Sequence, residues 1–307
     1  MTPISRRLAT GIGFLAIMSW ALLALLTVYS GAVPPFQLSA ICFAIGGAIG
    51  IIAMAVRGVS IGATFRQPLR VWLLGVGGIF GYHFFYFTAL RNAPPADSNL
   101  IANLWPLLIV LFSGLLPGER LRPLHIVGAF AALAGATLLV TRGGSLAFEW
   151  RYAGGYGAAL ACALIWSSYS VTSRLVGKVP SDVVAGFCLF AAALAALCHL
   201  GLEETVWPRD AVEWAAVIGL GIGPVGGAFY VWDIGMKHGN IQFLGVGSYA
   251  SPLIATVLLI AVGIAPPSRE LIVAALLIVL GASLAAYASG RRPATAAVPP
   301  ADPPTTR

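Results

Sequence analysis

Residues 71–90 read VWLLGVGGIFGYHFFYFTAL, and residues 217–236 read VIGLGIGPVGGAFYVWDIGM. An α-helix rises about 1.5 Å per residue, so each run is long enough to cross a hydrocarbon core of roughly 30 Å. Lipid offers the backbone no hydrogen-bond partners, and neither run alternates polar with apolar residues. Both must therefore be helices rather than barrel strands. The two runs also match each other. At an offset of 146 residues Gly75 falls on Gly221, Gly77 on Gly223 and Gly81 on Gly227.

The same ungapped offset serves the rest of the chain. It pairs Gly11 with Gly157, Trp20 with Trp166, Gly31 with Gly177, Pro34 with Pro180, Pro106 with Pro252, Leu107 with Leu253 and Gly135 with Gly281, and sets Arg91 on Lys237. Ten apolar runs can be marked: 8–30, 36–56, 71–90, 97–117, 123–141, 152–174, 183–201, 211–236, 241–264 and 270–289. Each copy of the repeat holds five. Five is odd, so the second copy enters the membrane from the opposite side. The expected fold is an all-α membrane protein: ten transmembrane helices as two inverted five-helix repeats around a central cavity. The first repeat is residues 1–146 and the second 147–290, followed by a disordered Pro-rich cytoplasmic tail at 291–307. Inverted repeats of this kind are the architecture of many secondary transporters, whose site lies near the midplane between the halves.

Composition agrees. Of 307 residues only 9% are charged and 59% are hydrophobic, at mean hydropathy +0.89. A soluble domain carries about 25% charge, so a water-exposed globule is excluded. The 36 glycines suit helices packed closely in a bilayer. The net charge of +7 points to membrane orientation rather than nucleic acid, because the basic residues sit at the ends of apolar runs. With the N-terminus in the cytoplasm, Arg6, Arg7, Arg57, Arg66, Arg70, Arg120, Arg122, Arg174, Lys178, Lys237, Arg291, Arg292 and Arg307 face inward. Only Arg91, Arg142, Arg151, Arg209 and Arg269 face outward. That bias places both termini inside. Ser5-Arg6-Arg7-Leu8 could open a secretory signal, but the apolar run is long for one and belongs to the repeat, so it reads as a retained first helix. The four cysteines lie in apolar runs without a CxxC spacing and read as inert.

Five plus five inverted spans in about 300 residues, with both termini inside, resemble the EamA-type branch of the drug/metabolite transporter superfamily. The resemblance covers residues 8–290. It is carried by Trp105-Pro106 in the fourth span, Ser251-Pro252 in the ninth, and Leu115-Leu116-Pro117-Gly118-Glu119-Arg120, which is similar to the family's gEr-type stretch. The second copy lacks the acid, since Glu119 falls on Ala265. The third span (Gly81-Tyr82-His83-Phe84-Phe85-Tyr86-Phe87), with Asn99, Asn103 and Trp105-Pro106, resembles the YddG-type aromatic amino-acid exporters of bacterial inner membranes. That resemblance implies a basket of helices around a cavity and amino-acid efflux.

The candidate site residues follow from depth and spacing. His83 sits mid-span, where ionisable groups are costly and usually face a cavity; the alternative is a neutral His bonded to a neighbouring helix. Tyr82 and Tyr86 flank it, four apart, either on the site or in packing. Asn99, Asn103 and Pro106 share one helical face and Trp105 another. Proline removes a backbone hydrogen bond, so Pro106 either frees a carbonyl for a substrate ammonium or only kinks the helix. Pro252 raises the same choice beside Ser248, Tyr249 and Ser251. Trp166 and Ser170 share a face with Ser173. Trp166 and Trp20, at equivalent positions, read as packing wedges or cavity walls. Gly77 and Gly81, like Gly223 and Gly227, are GxxxG pairs and read as close helix contacts or hinges. Gly221-x-Gly223-x-x-Gly226 matches a dinucleotide fingerprint, but no βαβ unit surrounds it. Asp233 precedes Lys237 by four residues, the spacing of an i, i+4 pair, with proton coupling as the sharper alternative. His125, His199 and His238 read as structural.

The expected substrate-binding set is thus His83, Tyr82, Tyr86, Asn99, Asn103, Trp105, Trp166, Ser170, Tyr249 and Ser251. Pro106, Pro252, Gly77, Gly81, Gly223 and Gly227 are the expected kink or gating positions. No metal, cofactor, nucleic acid or obligate protein partner is expected; the partners are the bilayer and a small substrate. Aromatic walls with almost no fixed charge suit a zwitterion with an apolar side chain, exported by alternating access. Aromatic cations or drugs are the alternative substrates. An intramembrane enzyme would need a catalytic constellation that one isolated His does not make.

Overall fold

The structure, a computed structural model, describes residues 4–141, 149–264, 266 and 269–290. The tail at 291–307 lies outside the described residues, as does Ala265, the counterpart of Glu119. Among the described residues ten helices are long and apolar enough to cross a membrane: α1 (Arg6–Tyr29), α2 (Pro35–Val56), α3 (Leu69–Asn92), α4 (Pro95–Ser113), α5 (Pro123–Thr141), α6 (Trp150–Val176), α7 (Ser181–Leu202), α8 (Ala211–His238), α9 (Ile241–Ala261) and α10 (Arg269–Gly290). Among the described residues there is no strand.

Packing follows the repeat. α1 lies on α8, α2 on α7, α3 on α6, α4 on α9 and α5 on α10. Shifting every helix by the 146-residue offset turns α1·α8 into α6·α3 and returns the other three pairs to themselves. Equivalent helices run antiparallel. In the α5·α10 pair, Arg122 donates to the Ala288 carbonyl at 2.6 Å, Gly128 meets Gly281, and Gly135 meets Ala274. The offset converts the Gly128–Gly281 contact into the Gly135–Ala274 contact, because Gly128 is equivalent to Ala274 and Gly135 to Gly281. In the α2·α7 pair, Arg57 bonds Asp182 at 2.6 Å at one end. At the other end Glu203 accepts the Phe36 and Gln37 N–H groups at 3.1 Å, a carboxylate capping a helix N-terminus. This arrangement is consistent with two oppositely inserted halves.

Small residues allow these contacts. A Cβ on Gly13 would come within 2.8 Å of the Gly235 Cα, so α1 and α8 touch backbone to backbone. The equivalent crossing of α3 and α6 uses Ala89 and Ala159, both fully buried. The GxxxG reading of α3 is corrected: Gly77 meets nothing within 4 Å and Gly81 only the Ile165 side chain at 3.5 Å. The glycines that α3 needs are Gly75, against Phe187, and Gly78, against Tyr169.

Four spans are interrupted. α1 breaks at Leu22, α4 at Asn103-Leu104, α8 between Gly223 and Gly226, and α9 at Ser248-Tyr249. Gly223 and Gly227 therefore flank a helix break in α8. α3, their counterpart, is continuous.

Candidate functional site

The breaks meet at the middle of the molecule, where four indoles gather. Trp20 of α1 lies 5.9 Å from Trp105 of α4, 5.8 Å from Trp166 of α6 and 4.9 Å from Trp232 of α8, centroid to centroid. Trp105 is 6.4 Å from Trp166 and 5.9 Å from Trp232, and Trp166 is 6.3 Å from Trp232. All six pairs fall in the range of favourable aromatic contacts. The four indoles thus occupy the place where the sequence puts a central cavity. Two of their N–H groups are satisfied nearby: Trp20 donates to the Pro224 carbonyl at 3.1 Å, which the α8 break leaves free, and Trp232 donates to Ser170 Oγ at 3.0 Å.

Against this floor α3 raises an aromatic wall. Tyr82 packs on Trp166 at 5.4 Å and stacks on Tyr86 at 6.0 Å. The Tyr86 hydroxyl donates to Asn99 Oδ1 at 2.5 Å, tying α3 to α4. His83 turns toward Phe43 of α2 and Phe229 of α8, at 5.0 and 6.1 Å. Its Nδ1 lies 2.8 Å from the Ile79 carbonyl, which can only accept, so Nδ1 carries the proton. Among the described residues His83 is thus bonded within its own helix and not to a neighbouring one. The side chains of Asn103 and Ser251 make no hydrogen bond to the described protein, and both residues are half-buried. Tyr82, His83, Tyr86 and Asn99 are half-buried too.

Three expectations change. Tyr249 is buried, and its hydroxyl bridges the α4 break: it accepts from Leu107 N at 3.2 Å and donates to the Asn103 carbonyl at 3.2 Å. The Asn103 carbonyl at the α4 break is therefore already taken, by the residue equivalent to Asn103 in the other half; the carbonyl that Pro106 itself cannot bond is that of Ala102. Ser170 is fully buried and spent on Trp232. Pro252 follows a second break, in α9, at which no comparable bridge forms. Trp232 was missed, although the offset sets it on Tyr86.

The two ends are charged. At one end Glu119 accepts from Arg6 at 3.1 Å, from Gln242 at 3.1 Å, and from Arg174. Arg174 also donates to the Met236 and Gly239 carbonyls at 2.7 and 2.5 Å. At the other end Glu203, besides capping α2, accepts from Arg91 at 2.7 Å and contacts His199 at 3.1 Å. Beyond the spans, the bond to Asp182 raises the Arg57 pKa above its ordinary value. Among the described residues no group of three or more His, Cys, Asp or Glu could hold a metal ion.

A model of the EamA-like transporter family matches residues 8–141 and 153–287, one match per repeat. The chain belongs to that family. It is a multi-pass membrane protein of the transporter class. Among its relatives, an "Aromatic amino acid exporter YddG" of Ancylobacter novellus is 57% identical over 94% of this chain and 100% of its own length. A protein of the same name in Escherichia coli is 24% identical, covering 94% of this chain and 100% of the relative. A solved crystal structure at 57% identity covers 94% of this EamA-like chain and 100% of the solved one, with a TM-score of 0.89.

Proposed function

We propose that this EamA-like protein exports amino acids with aromatic and other apolar side chains across a bacterial inner membrane by alternating access, with both termini in the cytoplasm. The observation that carries the reading is the uncharged wall of Tyr82, Tyr86, Asn99, Trp105 and Trp166, with His83 and Asn103 beside it. Stacked rings suit an aromatic or aliphatic side chain, while amides and hydroxyls suit the carboxylate and ammonium of a zwitterion. A phosphorylated substrate would need Lys or Arg there. The 57% identical relative, named for aromatic amino-acid export, supports the same substrate class.

In this reading Ser251 and Asn103 contact the substrate, Tyr249 and Ser170 hold the framework, and the breaks at Pro106, Pro252 and Gly223–Gly227 let helices rock. The basic residues concentrated at the Glu119 end support a cytoplasmic position for that end. The chain is then closed inward and looser outward. The test is flux of labelled phenylalanine by the purified chain in proteoliposomes, against a quaternary aromatic dye. Phenylalanine flux that His83→Ala or Trp105→Ala reduces supports the reading; dye flux without phenylalanine flux replaces it with export of cations.

A further inference from the structure

Directly after Trp232, α8 carries Asp233 and, one turn on, Lys237, both nearly sealed from solvent. Lys237 Nζ donates to Asp233 Oδ2 at 2.6 Å and to the Val179 carbonyl at 2.9 Å. Ser181 Oγ donates to Asp233 Oδ2 at 2.5 Å. The pair borders a cavity of about 10 Å³, roughly the room one water needs. Tyr169 and Ser173 of α6 line it too, and the remaining walls are apolar. Ser173 Oγ is spent on the Ser170 carbonyl at 2.8 Å. The Tyr169 hydroxyl is buried and has no hydrogen-bond partner in the protein, which is rare for a buried polar atom. A water in this cavity would join it to the ion pair. A carboxylate, an ammonium and an unpartnered phenol around one water-sized void exceed what a structural staple requires, and intramembrane ionisable groups mark proton relays.

We propose that Asp233, Lys237 and Tyr169 form a proton-binding site that makes transport respond to pH. One proton taken from solvent onto Asp233 breaks the ion pair. Lys237 keeps its own protons and becomes an uncompensated buried cation. Hydration relieves that burden, so protonation favours opening of the Glu119 end. The link to the indole floor is short: Trp232 neighbours Asp233, and Tyr169 packs on Trp166 at 5.4 Å. The other titratable or charged groups nearby are His238 on α8, Arg174 on α6 with Glu119 and Arg6 behind it, and Asp182 and Cys188 on α7. Asp182 is held by Arg57. The α3 stretch that lines the cavity contributes Val71, Leu74 and Gly75, which do not titrate.

The inference deepens the transport reading and rests on it only for its flux arm. The informative variant is Tyr169→Phe, which removes one oxygen and keeps the ring that fills the space against Gly78. In proteoliposomes, phenylalanine counterflow by the intact chain changes about threefold between neutral and mildly acidic pH, and Tyr169→Phe loses that response while keeping flux at neutral pH. Without substrate, infrared difference spectra on acidification show a protonated-carboxyl band that Asp233→Asn lacks and whose midpoint Tyr169→Phe shifts. A band indifferent to both substitutions, or a Tyr169→Phe flux profile matching the intact chain, overturns the site. A titrating band with no phenylalanine flux upholds the site and overturns the substrate instead.

Discussion

At one end of the molecule Glu119 gathers Arg6 of α1, Arg174 of α6 and Gln242 of α9, and Arg174 reaches on to α8. At the opposite end Glu203 binds α2, α3 and α7 together and, among the described residues, makes no hydrogen bond or ion pair to α1, α4, α8 or α9. The halves of α1 and α9 that face this second end, Leu23–Tyr29 and Ala250–Ala261, contain no buried residue. The centre repeats the contrast. Trp20 and Trp166 are equivalent and shared by both ends. Trp105 and Trp232 close the floor on one side, and their equivalents on the other are Ser251 and Tyr86. A duplicated scaffold thus presents two similar ends, and a few unmatched side chains make them differ.

The largest expected effect comes from removing that mismatch. Ser251→Trp places an indole where the other half has Trp105, and phenylalanine flux in proteoliposomes should fall to background while the protein still folds. Full flux would show that Ser251 does not border the path. Glu119→Gln keeps the shape of the latch and removes its charge. It should cost about 2 kcal/mol, read as a lower Tm, and raise labelling of a cysteine introduced at the Glu119 end. Unchanged labelling would mean that Glu119 does not hold that end closed. Tyr249→Phe removes the bridge over the α4 break and should cost about 1 kcal/mol with KM nearly unchanged, because the hydroxyl serves the backbone. A large rise in KM would return Tyr249 to the substrate site. The smallest effect belongs to one of two contrasted glycines. Gly77→Ala should stay within about 0.5 kcal/mol of the parent, since the site is open and alanine favours helix. Gly128→Ala, whose Cβ would lie 2.6 Å from the Gly281 carbonyl, should cost about 2 kcal/mol.

The fold was legible because membrane spans write themselves in length and hydropathy, and the Gly, Pro and Trp repeat marked which spans were equivalent. The site was only partly so. Tyr82, Tyr86, Asn99, Trp105 and Trp166 do converge, since depth and helical spacing limit which faces can meet. Trp232 was hidden because Asp233, beside it, drew attention to charge; the offset that sets it on Tyr86 was the available signal. Tyr249 and Ser170 are expected at the substrate, and in the structure their hydroxyls bond the α4 backbone and Trp232; a lone polar side chain in a span gives no hint which partner will use it. Gly77 misled for a related reason: spacing names a helix face but not whether a neighbour comes to it.

The central claim is that the two ends open reciprocally. Spin-label distances test it most directly, with one pair at Arg120 and Lys178 and another at Asn92 and Ile264, all exposed positions. On adding phenylalanine, a population should arise in which the first pair separates and the second draws together. Both pairs moving in the same direction, or the first staying fixed while phenylalanine is transported, would contradict the account.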